Sequence, residues 1–361
     1  MKILLLAGEE SGLLYANRLK GLLAGHEVRG YADYGFRTAD LAVMGFAAVV
    51  GRLPYFIGVK RTMERAIDEW RPDVVCTIDY PGMNLKLAAY AKARGVRTIH
   101  VVCPQVWAWK AGRIPKIEAA LDRLCCFFPF EPALFRPGFA TFVGHPLAED
   151  FPTRPPVSPG RALRTVALLP GSRIGEIERC LPVMLESLSA LPGVRGVVPA
   201  ANAAAKEMIV SLVSAYKAEE TGRNAEIEIL DGGARELLLR ADCAVVASGT
   251  ATLEAALARC PTVLVYRVSA ALAWFARRVI KGIRHIGLVN VVWEKGGGTG
   301  EEPMPELLQE RFTAENVSAV LGRWLGSDEA LESARARLDE VVRGLGTGAG
   351  AMSALVAEIV R

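Results

Sequence analysis

The sequence predicts an α/β protein of two units, each a parallel sheet with helices on both faces. Three observations carry that expectation. Short apolar runs alternate with helical patterns along the chain, as in parallel strands joined by crossover helices. The alternation stops at 151–160, where Pro152, Pro155, Pro156 and Pro159 mark a linker, and then restarts. The 361 residues are too many for one ordinary domain and comfortable for two.

In order, strands are expected at 2–7, 73–78, 97–102, 123–127 and 140–143, then at 165–169, 194–198, 226–230, 243–247 and 262–266. The units are 1–158 and 159–344. Two such units leave a cleft, and ligands of open α/β sheets bind outside the carboxyl ends of the strands. Met1 to Gly8 is too short an apolar run for a secretion signal, and Glu9 and Glu10 follow at once, so it reads as the first buried strand. No internal repeat or long disordered tract interrupts the pattern, and Gly296 to Gly300 reads as a flexible loop.

Composition narrows the function. Hydrophobic residues make up 51%, enough for a core in each unit, and the formal net charge of +4 is mild. No basic run marks a nucleic-acid groove. The 7 cysteines show no Cys-x-x-Cys or Cys/His ligand spacing, and Cys125 and Cys126 read as buried strand thiols, which fits a reducing cytoplasm. No window reaches the ~18 apolar residues of a membrane span, so a soluble or peripheral protein is expected.

The most informative motifs are two glycine turns, each between an apolar run and a helical pattern. One is Pro170-Gly171-Ser172-Arg173-Ile174-Gly175-Glu176, the other Ser248-Gly249-Thr250-Ala251-Thr252-Leu253-Glu254. A strand, a glycine turn and a helix N-terminus bind phosphate through free N–H groups and the helix dipole. Turn chemistry alone also explains Gly and Ser at such places. The repetition points to a diphosphate, and Arg173 supplies a planar cation to grip it. Glu254 has the place to hold a ribose hydroxyl pair, or is a surface helix charge.

Asp79 ends an apolar run, where a carboxylate would act as general base on an acceptor hydroxyl; its bland role is a helix N-cap, which Asn84 could fill instead. Glu9 holds the equivalent place after the first strand, as substrate contact or as a first-turn charge. His145, just before the linker, is a weaker candidate, since a lone His is more often structural. No Asp-x-Asp pair or His cluster offers a metal site, so Arg173 and the helix N-termini would neutralise the leaving group without metal or cofactor. The sequence has no Gly-x-Ser-x-Gly elbow, P-loop or Gly-x-Gly-x-x-Gly fingerprint.

Two basic, aromatic segments, 52–65 and 272–281, suit either a core-facing surface helix or an interfacial helix on an anionic membrane.

The chain resembles the lipid-A-disaccharide synthase family of inverting glycosyltransferases. The resemblance rests on Ala7-Gly8-Glu9-Glu10-Ser11-Gly12, Leu41-Ala42-Val43-Met44-Gly45-Phe46, Pro104-Gln105-Val106-Trp107-Ala108-Trp109, Phe128-Pro129-Phe130-Glu131 and Val143-Gly144-His145-Pro146. It continues through both glycine turns, Tyr266-Arg267-Val268-Ser269 and Pro305-Glu306-Leu307-Leu308-Gln309, in family order over roughly residues 3 to 320. It implies a GT-B fold of two Rossmann-like domains facing across a cleft, with a C-terminal helix at about 345–361 crossing back to the first. The implied donor is UDP-2,3-diacylglucosamine and the acceptor 2,3-diacylglucosamine 1-phosphate (lipid X). The implied product is a β-1,6-linked disaccharide 1-phosphate, with UDP released and no metal. By the family pattern Asp79 is the base and Glu9 a second essential acid. Gly171, Ser172, Arg173, Ser248, Gly249, Thr250, Ala251 and Glu254 bind UDP, and Asn290 and Gln309 lie near the nucleotide. Family members act peripherally at the cytoplasmic face of the inner membrane, which favours the interfacial reading of the two basic segments. No nucleic-acid partner is implied, and a homodimer is left open.

Three departures fall in the first, acceptor-side unit. Leu13 stands where the family motif has Asp, Gly82 where it has a second Asp, and only Tyr31 to Asp40 occupy the place of a longer Gly-Gly-Pro-x-Met loop. Nucleotide-sugar use is thus better supported than acceptor identity. The alternatives are another UDP-sugar enzyme on this fold (a transferase with a different acceptor, or a UDP-GlcNAc 2-epimerase) and a non-catalytic nucleotide-sugar binder.

Overall fold

The computed structural model describes residues 1–41, 52–108, 111–149, 151–155, 163–218, 225–268, 284–346 and 350–361. The chain forms two compact units, Met1–Glu149 with Leu345–Arg361, and Asp150–Gly344. The segment 272–281, Ala42 to Phe46 of the Leu41 to Phe46 motif, Trp109 and Ser269 lie outside the described residues.

The first unit holds strands β1 (Lys2–Ala7), β2 (Glu27–Arg29), β3 (Val74–Ile78), β4 (Arg97–Val101), β5 (Arg123–Cys126) and β6 (Ala140–Phe142). They form one sheet in the order β2-β1-β3-β4-β5-β6, with every pairing parallel. Five match the expected strands to within a residue or so. The additional strand, β2, is short and no residue in it is fully buried, so no apolar run announces it. β3 is buried at every position, as a strand covered on both faces must be.

The helix Leu53–Trp70 covers one face of this sheet. Phe56, Val59, Met63, Ile67 and Trp70 recur at helical spacing and join a core with Leu4, Leu6 and Val75. Each such side chain contributes roughly 1.5–3 kcal/mol through burial. The opposite edge of that helix keeps Leu53 and Ile57 exposed, at 54% and 43%. The last helix, Ala351–Val360, packs with Glu10–Leu22 in the first unit. Glu149 accepts from the N–H of Met352 at 2.8 Å at its start, and the Arg97 guanidinium donates to the Glu358 carbonyl at 2.7 Å near its end.

The second unit repeats the plan with β7 (Arg164–Leu169), β8 (Val194–Ala200), β9 (Glu226–Asp231), β10 (Cys243–Ala247), β11 (Thr262–Tyr266) and β12 (Glu306–Leu308), in the order β12-β11-β10-β7-β8-β9. Residues 151–155, read as linker, begin this unit: Arg154 donates to the carbonyls of Leu238 and Ala258 at 3.0 and 3.2 Å. The loop from Gly296 has fixed contacts. The Gly298 N–H donates to the Trp293 carbonyl at 2.9 Å, and a β-carbon on Gly298 would lie 2.2 Å from the Trp293 ring.

Candidate active site

Each sheet reverses its direction of winding once, between β1 and β3 in the first unit and between β7 and β10 in the second. At such a switch point the helices leave to opposite faces and open a crevice at the carboxyl ends of the strands. Glu9 and Asp79 follow the strands at the first of these places, and the two glycine turns follow those at the second.

In the first unit Ala7 of β1 is aligned with Ile78 of β3, so Glu9 and Asp79 follow neighbouring strand ends. Glu9 is the N-cap residue of helix Glu10–Leu22, in extended conformation, yet its side chain makes no capping bond. Burial, then the Asp79 charge, raises its carboxyl above the usual range. Asp79 is more buried, and burial raises its carboxyl too, while the Tyr80 N–H donating to Oδ1 at 2.8 Å pulls the other way. Among the described residues neither carboxylate has an ion-pair partner. Two carboxyls raised above the ordinary range thus follow neighbouring strand ends at one switch point, and a carboxylate with a raised pKa is able to act as a general base.

The turn that presents Asp79 is strained. Asp79 and Tyr80 both take left-handed conformations, with φ of 48° and 51°, at roughly 1–3 kcal/mol each. The N-cap of the next helix, Pro81–Lys92, is Tyr80, so capping falls to neither Asp79 nor Asn84. Asn84 lies inside that helix, fully buried, and points back. Its Nδ2 donates to the carbonyls of Leu6, Ile78 and Asp79 at 3.2, 3.1 and 2.7 Å, and its Oδ1 accepts from the Tyr31 hydroxyl at 2.8 Å. Asn84 therefore ties β1, β3 and the Asp79 turn together. The Tyr80 ring lies over Gly8, where a β-carbon would sit 2.4 Å away. Leu13 is exposed and lines a cavity of about 90 Å³ with Lys20, Arg29, Tyr31 and Thr38, and the space around Gly82 is open.

In the second unit Leu169 of β7 is aligned with Val246 of β10, which brings the two glycine turns side by side. Gly171 has φ +108°, a conformation that favours glycine, and leads through exposed Ser172 and Arg173 into helix Ile174–Ser189. Arg173 pairs with Glu176 at 2.7 Å, and the Glu176 carboxylate sits where a β-carbon on Gly171 would lie, within 2.5 Å. Ser248 donates its N–H to the Val265 carbonyl at 3.0 Å, which leaves exposed Gly249 and Thr250, with part-exposed Ala251, at the start of helix Thr250–Leu257. Glu254 is half-buried with Arg235 at 3.7 Å; burial raises its carboxyl and Arg235 lowers it.

Two residues placed near the nucleotide by resemblance have internal tasks. Asn290, fully buried, donates to the Met304 carbonyl and to Glu306 at 2.7 and 2.9 Å and accepts from the Met304 N–H at 3.1 Å. Glu306 also accepts from the N–H groups of Ile286 and Gly287 at 2.9 Å, and so anchors the start of helix Leu288–Lys295. The Gln309 amide, oriented so that both its atoms are satisfied, pairs with both backbone groups of Val268 at 3.2 Å.

His145 is buried against Phe127 and Phe128, accepts from the Leu147 N–H at 3.2 Å, and is pushed down to about 4 by burial, a structural role. Sequence reasoning missed Glu131. Its buried carboxylate accepts from Trp107 Nε1 at 3.3 Å and from the Phe128 N–H at 3.1 Å, and burial raises it to about 7 against those hydrogen bonds. Among the described residues one group of donors is close enough to share a cation: Cys103, Cys126 and Glu131, within 4.8 Å of one another. Their sequence spacing matches no ligand motif, so only the fold reveals the group.

The family model described as lipid-A-disaccharide synthetase matches residues 3–360. The chain belongs to the lipid-A-disaccharide synthase family. A lipid-A-disaccharide synthase from Anaeromyxobacter dehalogenans is 36% identical, over 96% of this chain and 93% of its own. One from Chromohalobacter salexigens is 34% identical, over 98% and 95%. Among solved structures, the kitacinnamycin glycosyltransferase aligns with a TM-score of 0.63 at 16% identity, covering 99% of both chains. A Neisseria meningitidis UDP-GlcNAc 2-epimerase aligns at 0.60 with 11% identity, over 100% of both. These likenesses establish the GT-B fold and, at such identity, the fold alone. With the family shown, the protein is a glycosyltransferase of lipid A biosynthesis.

Proposed function

We propose that this glycosyltransferase joins UDP-2,3-diacylglucosamine to 2,3-diacylglucosamine 1-phosphate, giving a β-1,6-linked disaccharide 1-phosphate and UDP. The observation that carries the assignment of roles is the placing of Glu9 and Asp79 at one switch point and of the paired glycine turns at the other. Asp79 takes the proton of the acceptor 6-hydroxyl as that oxygen bonds to the donor's anomeric carbon. The bond from that carbon to the diphosphate oxygen breaks on the opposite face, which inverts the centre, and its electron pair leaves on UDP. Arg173 and the two helix N-termini stabilise the departing charge. Glu9 is the second acid of the pair, its carboxyl raised by burial and then by the like charge of Asp79.

Membrane association at the cytoplasmic face belongs to the same proposal. Leu53 and Ile57 are exposed on one edge of helix Leu53–Trp70, with the cations Arg52 and Arg61 beside them. No helix among the described residues is long and apolar enough to cross a membrane.

Mass spectrometry of products from purified protein and the two acylated sugars tests the reading. Disaccharide and UDP must form together, and only with both substrates. Leu13 and Gly82, uncharged where the family motif has carboxylates, favour a second reading in which the donor is the same and the acceptor differs. UDP release with another acyl-sugar but none with lipid X would establish it. Conversion of the nucleotide sugar with no acceptor would instead mark an epimerase.

A further inference from the structure

The loops after β4 and β5 carry an aromatic arrangement for which the mechanism above has no use. Trp107 and Phe130 are both part-exposed and meet edge to face at 5.8 Å, and Phe130 stacks on buried Phe128 at 6.2 Å. The pair stands at the same end of the sheet as Asp79. β4 and β5 follow β3 in strand order, and the Asp79 N–H donates to the Val101 carbonyl at the end of β4 at 2.9 Å. Glu131 fixes both members: one oxygen holds Trp107 Nε1 and the other holds the Phe128 N–H, two residues before Phe130. Glu131 is only 2% exposed and, among the described residues, no lysine or arginine pairs with it. A buried carboxyl without a cation costs stability unless hydrogen bonds offset its burial, and here those bonds go to Trp107 and Phe128. With the indole N–H taken up inside the protein, Trp107 has ring surface and not a hydrogen bond to offer a ligand.

We propose that Trp107 and Phe130 form a wall against which the apolar face of the acceptor's pyranose ring packs, and that Glu131 is the positioning residue that holds the wall. This rests on the acceptor being an acylated aminosugar. An aromatic ring face at the same end of the sheet as Asp79 would set the angle at which the 6-hydroxyl meets that carboxylate.

Steady-state kinetics with both acylated sugars test it on the full-length enzyme, for Trp107→Ala, Trp107→Phe, Glu131→Ala, Glu131→Gln and the double variant Trp107→Phe/Glu131→Ala. Trp107→Ala and Glu131→Ala are expected to raise the acceptor KM about tenfold, with the donor KM and UDP affinity within about twofold of wild type. Glu131→Gln keeps one accepting oxygen and falls between wild type and Glu131→Ala. The double variant is expected to raise the acceptor KM by clearly less than the product of its two single effects, because both remove the same hydrogen bond. An unchanged acceptor KM in Glu131→Ala, equal loss for donor and acceptor, or full multiplicativity in the double variant overturns the proposal. If circular dichroism shows Glu131→Ala unfolded, Glu131→Gln and Trp107→Phe decide it by the same criteria. Absence of disaccharide from the wild type is a different failure: it overturns the acceptor reading, and the wall with it.

Discussion

Tyr31 and Asn84 meet in the core of the first unit, hydroxyl to Oδ1 at 2.8 Å, with neither side chain open to solvent. Because Asn84 also serves the carbonyls of Leu6, Ile78 and Asp79, this one bond supports the geometry of the Asp79 turn. Tyr31→Phe should cost about 1–3 kcal/mol by leaving a buried amide oxygen without its donor. Asn84→Ala should cost more and lower turnover even at temperatures where the protein stays folded. Urea unfolding beside product assays checks both; equal stability in Tyr31→Phe would show that the bond does not form.

The Asp79 carboxyl gives a paired prediction on stability and rate. Burial raises its folded pKa, so ionising it is harder folded than unfolded. The stability it contributes is whole below the unfolded carboxylate value of about 3.9 and is lost as pH rises through the folded value. Asp79→Asn should therefore melt higher than wild type near pH 7, with the gap closing in acid. The same change should cut turnover by roughly 10²–10⁴-fold while UDP still binds. Wild-type rate should climb with pH as Asp79 loses its proton, along a limb above the ordinary carboxylate range. A variant that keeps wild-type turnover would remove Asp79 from the chemistry.

Glu176 stands at the donor turn as an internal anion, paired with Arg173 and folded against Gly171. A diphosphate bound at this turn, as proposed, would displace it. Arg173→Ala should weaken UDP binding about 10- to 100-fold, in line with loss of charge-assisted hydrogen bonds. Glu176→Gln should tighten it a few-fold, more at low salt than at high. Calorimetric titration with UDP measures both, and weaker binding in Glu176→Gln would give that carboxylate a supporting role instead.

Gly82 tests the departure from the family motif. It lies in the first turn of helix Pro81–Lys92, and an added β-carbon would have no atom within 4 Å. Gly82→Asp should stabilise by about 0.5–1 kcal/mol from backbone entropy, with a favourable charge near a helix N-terminus besides. A rise in melting temperature with disaccharide synthesis retained is the expected result; a fall would mean that the site is less open than its geometry indicates.

Much of this was legible in the sequence, for reasons particular to each part. Strands covered on both faces must be apolar throughout, so β1, β3, β7 and β10 announce themselves, and glycine turns at their ends mark where phosphate can approach. Edge strand β2 is three residues with no buried face, so only pairing with β1 defines it. The family motifs named the candidate residues, since a reaction needs particular groups wherever they fall in the chain. What those groups do locally was decided by the tertiary structure. Asn84 as a tie between strands, Asn290 and Glu306 as an anchor for a helix, and Glu131 beneath Trp107 each depend on partners far away in sequence. A buried polar group takes its role from whichever donors and acceptors the fold brings within hydrogen-bonding distance, and no local pattern records that choice.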